Sequence, residues 1–336
     1  MGQMSFFTIS DKYAALSKMG DPLERLEKVI PWENFRPLLN KVFSKERKSE
    51  AGRPPFDYMV MLKVLVLQSL YNLSDEQMEF QLRDRLSFIR FIGVGVEEGT
   101  PDQKTIWLFR ENLTKAGAVK RLFSKFDRYL DNQGFRAKKG QLIDATLVEV
   151  PRQQITEEER AELESDEVPE DWNEPVQRQK DTDARWTQKH KRSYFGYKNH
   201  INADNKNKLI RDYAVTPASV HDSQKLPELL SDKNSLDIYA DSAYSSELFE
   251  SGLKYEGFRS HISSKGYRNK ELSKFQKELN KRRARIRSRV EHVFGALKWM
   301  KAHYIRCIGI LRATARIGLS NLTYNLRRYA YLMRTA

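Results

Sequence analysis

The stretch Leu142–Val150 reads LIDATLVEV, and 237–244 reads DIYADSAY. Each has the branched, apolar texture of a buried β-strand, and each carries an aspartate where such a strand should be apolar. A carboxylate left unpaired in such surroundings costs several kcal/mol, so Asp144 and Asp241 need compensation. Strand alternation puts Leu142, Asp144, Thr146 and Val148 on one face of the first strand. It likewise groups Asp237, Tyr239 and Asp241, with Asp241 where the strand gives way to SAYSSELF. Ligands of α/β sheets gather beyond the carboxyl ends of strands, which suits Asp241 and ranks Asp237 behind it. Glu291, in a helical stretch among cationic and apolar neighbours, is the third candidate. Three carboxylates offer hard oxygen donors suited to Mg²⁺ or Mn²⁺ rather than zinc. The alternative is a salt bridge, in a chain with 59 lysines and arginines.

Outward from these strands, the runs 141–150, 194–203, 208–215, 236–241 and 258–263 are strand-like, with VHDSQKLPELL at 220–230 read as a helix. Strands followed by helices alternating with strands predict a mixed α/β sheet. Residues 1 to about 130 read as helices. Gly and Pro in AGRPPFD (51–57) precede a helix over 57–71, and Ser74 with Gln77 forms a capping box. A further helix lies within 100–117, capped by Thr100 or Asp102 and stopped by Gly117. Short helices with tight turns suggest a helix-turn-helix-like module, or a bundle that only packs or dimerises. The chain is helical again from about 269 to its end.

Charge narrows the partner. The net charge is +14, which favours a polyanion, nucleic acid before membrane surface. Residues 157–174, EEERAELESDEVPEDWNE, hold ten acids and one arginine; setting them aside leaves +23 on the remainder. That stretch is expected to be a mobile surface excursion. Cys307 is the single cysteine, so no internal disulfide or cysteine-based zinc site can form. The apolar run 58–71 is too short for a membrane span, and the opening residues lack the pattern of a signal peptide. A cytoplasmic, nucleoid-associated location is expected.

Trp186, Tyr194, Phe195 and Tyr197 alternate with Arg185, Lys189, Lys191, Arg192 and Lys198, a mixture suited to stacking on distorted bases and gripping phosphates. Trp186 is the best stacking residue, since alternation buries half of the others. Lys281, Arg282, Arg283, Arg285 and Arg289 are too many for one helical face, so some should track DNA backbone. His200 is either near the reacting strand or packed within the sheet, and Asp222 is read as a helix cap.

The chain resembles a DDE transposase of a bacterial insertion sequence, close to the IS5-like group of the IS4-like superfamily. The likeness runs through GRPPFDYMVMLKVLVLQSLYNLSDEQMEFQLRDRLSFIRFIG (52–93), TPDQKTIWLFRENL (100–113), LIDATLVEVP (142–151), DARWTQKHKRSYFGYKNHI (183–201), ADSAY (240–244) and RSRVEHVFGALKW (287–299). The family's helical signature spaces a tyrosine, an arginine, a glutamate and a lysine. Arg287, Glu291 and Lys298 match it, while Ala284 stands in the tyrosine's place. The resemblance implies a ribonuclease-H-like catalytic domain at 136–336, with the acidic stretch inserted, behind a helical DNA-recognition and dimerisation domain at 1–135. It implies Asp144, Asp241 and Glu291 as catalytic ligands of two Mg²⁺ or Mn²⁺ ions. Arg287 and Lys298 would position phosphates, aided by Trp186, Lys198, His200, Arg282, Arg283 and Arg285. The reaction implied is hydrolysis at the element's ends followed by attack of the freed 3′-hydroxyl on target DNA. The partners implied are double-stranded terminal repeats and target DNA, held by a homodimer. On regular helical geometry Arg287, Glu291 and Lys298 share one face.

Overall fold

The computed structural model describes residues 6–43, 54–165, 167–189, 191–230, 235–266 and 271–335. Residues 51–53 of the predicted turn, Asp166 of the acidic stretch and His190 lie outside these. The chain divides into two compact units, Met1–Lys125 with Leu322–Ala336, and Phe126–Asn321.

The first unit is helical: α1 (Phe6–Lys18), α2 (Pro22–Val29), α3 (Arg36–Phe43), α4 (Tyr58–Tyr71), α5 (Asp75–Asp84), α6 (Leu86–Ile92) and α7 (Gln103–Lys115). It also takes in most of α8 (Ala118–Asn132) and the second half of α15 (Ile310–Thr335). Helix α4 is apolar on every side because α3, α5, α6 and α7 surround it. Its buried Lys63 is matched by Glu27 at 2.8 Å. Asp57 caps its start, Asn72 in the left-handed conformation ends it, and the Ser74–Gln77 capping box starts α5. Asp102 caps α7, as expected. A half-buried polar knot joins α4, α5 and α7, with Arg110 donating to both carboxylate oxygens of Asp75 at 2.6 and 2.7 Å and to Gln68 at 3.0 Å.

The second unit is built on a six-stranded mixed sheet. Its strands are β1 (Gln141–Glu149), β2 (Arg185–Lys189), β3 (Arg192–Asp204), β4 (Ile210–Pro217), β5 (Asp237–Tyr239) and β6 (Arg259–Ser260). The order is β2-β3-β1-β5-β6, and the long β3 also pairs with β4 along its outer edge. β1 is antiparallel to β3 and parallel to β5, which is parallel to β6. This is the ribonuclease-H-like mixed sheet. Gly196 of β3 is required because a Cβ there would collide with the Val148 carbonyl oxygen of β1.

Both sheet faces are covered. Ile143, Ile238 and Ala240 pack with Leu226, Leu229, Tyr244 and Leu253 from α11 (Leu226–Leu229), α12 (Glu247–Tyr255) and the turn before it. On the other face Val148, Phe195 and Tyr197 pack with Ile305, Ala313 and Ile317. The predicted helix at 220–230 is shorter and split, a 3-10 turn at Asp222–Lys225 followed by α11. There His221, rather than Asp222, is the cap.

The acidic stretch is folded, not a loose excursion. It forms α9 (Glu157–Glu164), capped by Thr156, and α10 (Glu174–Gln177), capped by Asn173. Trp172 lies buried between them and donates its indole N–H to Glu159 at 2.6 Å. One large ring and one buried leucine, Leu163, thus fix a segment whose charge alone predicts mobility.

The C-terminal helical stretch holds α13 (Lys274–Arg287) and α14 (Glu291–Trp299), separated by a 3-10 turn at Ser288–Val290. No helix among the described residues is long and apolar enough to cross a membrane.

Candidate active site

The pairing of β1 with β5 brings Asp144 and Asp241 to the same end of the sheet. Gln141 of β1 stands opposite Ile238 of β5, and Leu142 opposite Tyr239, a constant offset of 97 residues. The ladder ends there; Asp144 lies two residues further along β1, and Asp241 two residues past the end of β5, near enough for its charge to act on Asp144. Adjacent strands lie about 4.8 Å apart, and partners in a parallel ladder share a face. Asp241 accepts the Ala243 amide at 2.8 Å and caps the turn Ser242–Tyr244, which fixes its carboxylate. Its rival Asp237 is engaged elsewhere. Arg259 grips both its oxygens at 2.8 Å and His261 adds a contact at 2.9 Å, holding its pKa well below the usual carboxylate range.

The third carboxylate arrives from α14. The 3-10 turn at 288–290 packs against β1 and buries Val290, so Glu291 opens α14 as an exposed residue. The turn also breaks the regular helical phase between Arg287 and Glu291. Among the ion pairs of the described residues Arg287 is matched with Asp144 and not with Glu291. Its Nη1 donates to Oδ2 of Asp144 at 2.8 Å, while Oδ1 accepts the Ala145 amide at 2.8 Å. At its far end α14 is tied back to β1. The Glu149 amide donates to the His303 carbonyl at 2.8 Å, and Ile305 donates to the Glu149 carbonyl at 2.9 Å. Asp144 and Glu291 therefore belong to elements joined at both ends.

Electrostatics show the three acids acting on one another. Asp144 has only 14% of its side chain exposed, and its pKa is pushed up to about 6. Burial is the main cause; the negative charges of Asp241 and Glu291 add to it, and Arg287 and the Ala145 amide oppose it. The carboxylates stand within electrostatic reach without being drawn into a closed cage. Among the described residues no three His, Cys, Asp or Glu side chains are gathered tightly enough to hold an ion. By chemistry the donors fit a hard divalent cation, being oxygen-only and short of positive charge. In this structure Arg287 supplies one such charge.

The remaining expected residues divide. Lys298 is exposed on α14 and borders a water-sized cavity of about 10 Å³ with Thr146 and Asn199. Arg282 and Arg285 are exposed on α13, Arg282 near Glu278 at 3.6 Å. Arg283 is turned inward, its Nη1 donating to the Ile262 carbonyl at 2.6 Å, so it braces the chain after β6 rather than facing DNA. Lys198 bonds the Val220 carbonyl at 2.7 Å and Asp222 at 2.8 Å. His200 is wholly buried on β3, hydrogen-bonded through Nε2 to Thr216 at 2.8 Å. Burial lowers its pKa to about 4, so it is a neutral core histidine that cannot reach DNA as the sheet stands. Trp186 is half-buried on β2, 5.2 Å from the Phe195 ring and flanked by two arginines.

Sequence reasoning missed Tyr244. It is fully buried with a hydroxyl that has no hydrogen-bond partner among the described residues, and its pKa is raised by burial first and then by the charges of Asp222, Asp144 and Asp241. Its position three residues after Asp241, in ADSAY, was the available signal.

Residues 11–112 match the family model described as a transposase domain (DUF772), and residues 136–326 match that of the transposase DDE domain. No solved structure matches the chain. The second match alone covers more than half of the sequence and includes Asp144, Asp241, Arg287 and Glu291. The chain belongs to the DDE transposases of insertion sequences, enzymes that act on DNA.

Proposed function

We propose that Asp144, Asp241 and Glu291 are the catalytic carboxylates of a transposase of the IS5-like group and would hold two Mg²⁺ or Mn²⁺ ions. The observation that carries this reading is the effect of Asp241 and Glu291 on Asp144, whose carboxyl their negative charges help to raise, with β1 and β5 paired in parallel just before the two aspartates. When bound, such ions activate a water or hydroxyl and stabilise the oxygen leaving a phosphodiester.

The chain's own residues orient the reaction. Arg287 favours the ionised form of Asp144 and would also offer its remaining donors to a phosphate. Lys298, two turns beyond Glu291, offers a second cation. Arg282 and Arg285 extend the basic surface along α13. Hydrolysis at each end of the element frees a 3′-hydroxyl, which then attacks target DNA. Cleavage at two ends calls for a homodimer in the synaptic complex. The helical domain at 1–135 would read the double-stranded terminal repeats and dimerise, and the domain at 136–336 would carry the chemistry, associated with the nucleoid.

The test is strand transfer from labelled DNA flanking this reading frame into plasmid, with Mg²⁺ or Mn²⁺. Wild type should join ends, whereas Asp144→Ala, Asp241→Ala and Glu291→Ala should bind DNA and not join. Variants as active as wild type overturn the assignment. Nicking without joining by wild type points to a nuclease.

A further inference from the structure

The ring of Trp186 is not bare. The Arg152 guanidinium carbon lies 5.5 Å from its centroid and that of Arg160 lies 5.6 Å away. Arg152 follows the end of β1, and Arg160 is the single arginine among the acids of α9. Together with Thr187, Gln188 and Ser193 these three residues line an open cleft of about 560 Å³ beside the edge strand β2. Arg160 uses its Nε–H on Glu164 at 3.0 Å, and Arg152 one Nη2–H on the Ser193 carbonyl at 3.3 Å. A guanidinium has five donors.

Two guanidinium groups converge on one ring, and among the described residues only Arg160 has a carboxylate beside it, Glu164. Attraction to the aromatic face holds each guanidinium only weakly. An anion in the cleft would stabilise both. The planar donor fork of arginine suits a phosphate, which it can grip with two parallel hydrogen bonds.

We propose that Arg152 and Arg160, oriented by the face of Trp186, form a phosphate-binding cleft that holds the DNA backbone away from the carboxylate site. This rests on the DNA-transposase reading above. It revises the role expected of Trp186. The ring is a platform that positions two guanidinium groups, not the surface on which a base stacks. It also gives the acidic insertion a purpose, since α9 delivers Arg160 over the ring.

The experiment is titration of the full-length chain against a labelled duplex of random sequence, from ~0.05 to ~0.2 M salt. Each phosphate contact contributes about −0.9 to the slope of log K against log salt. The double variant Arg152→Ala/Arg160→Ala should therefore flatten the slope by roughly 1.8. Trp186→Ala should flatten it in part and Trp186→Phe, which keeps an aromatic face, should restore it. A slope unchanged in the arginine double variant overturns the cleft. Because both arginines are exposed, that variant decides the matter even if Trp186→Ala fails to fold. Inorganic phosphate at fixed ionic strength forms the second arm. Millimolar phosphate should weaken DNA binding by wild type more than by the double variant, as competition for the cleft requires; equal weakening of the two overturns the backbone assignment. Wild type that joins ends while the variants keep its slope refutes the cleft alone. Wild type that binds no DNA refutes the transposase reading as well.

Discussion

Arg287 is where residue-scale reasoning from the sequence and the folded chain part company. A regular helix would set it against Glu291, one turn on. The 3-10 turn redirects it to Asp144, where it offsets part of the burial that raises that carboxyl to about 6. An opposite charge at such range lowers a carboxyl pKa by roughly 1–3 units. Arg287→Gln should therefore shift the acid limb of the cleavage pH profile upward by at least one unit, with Arg287→Lys between the two. An acid limb that stays put in both variants would refute a role through Asp144. His200 makes a second residue-scale case. Its folded pKa, about 4, lies below the unfolded value near 6.5, so protonation favours the unfolded chain. Stability from the neutral ring is complete above pH 6.5 and is lost as pH falls toward 4, by up to ~3 kcal/mol. His200→Gln, which can still bond Thr216, should make the melting temperature less steep between pH 6.5 and 4. Parallel curves for the two proteins would mean that the ring is not held neutral.

Among the elements, those with strong local chemistry were legible in the sequence. Ser74 with Gln77, and Asp102 of the two caps expected at 100–102, begin their helices as their side chains demand, and the branched runs at 141–150 and 194–203 are strands. β2 was not foreseen. RWTQK is short and half polar, and the turn after it carries Lys191 at φ 63° instead of the glycine or asparagine that marks a tight hairpin. Nor could the break before Glu291 be read, since SRV holds neither glycine nor proline. The two aspartates were visible as oddities, but their pairing depends on a parallel register that no local pattern specifies. At this scale Gly196 and Trp172 are the tests. Gly196→Ala forces a methyl against the β1 backbone and should destabilise the chain by about 1–3 kcal/mol in denaturant titration. Trp172→Ala should loosen α9 and α10 without unfolding the sheet, seen as faster tryptic cleavage after Arg160 and Arg178. Cleavage at the wild-type rate would show that the ring does not hold the insertion.

At the scale of the whole molecule, charge divides into a strongly basic body and an acidic, ordered insertion. The two act on DNA with opposite sign. Glu158, Glu167 and Glu170 are exposed and are not among the cleft residues, so their charge reaches DNA chiefly as a long-range field. Replacing all three with glutamine raises the net charge from +14 to +17 while leaving Arg160 in place. Affinity for random duplex should rise several-fold at ~0.05 M salt, through faster association more than slower release. The gain should fade toward ~1 M, where the screening length shrinks to about 3 Å. A gain that survives high salt would instead mean that one of these glutamates sits in direct contact with the bound DNA. No gain at low salt would mean that DNA approaches from a side the insertion does not reach, which would also count against the Arg160 cleft.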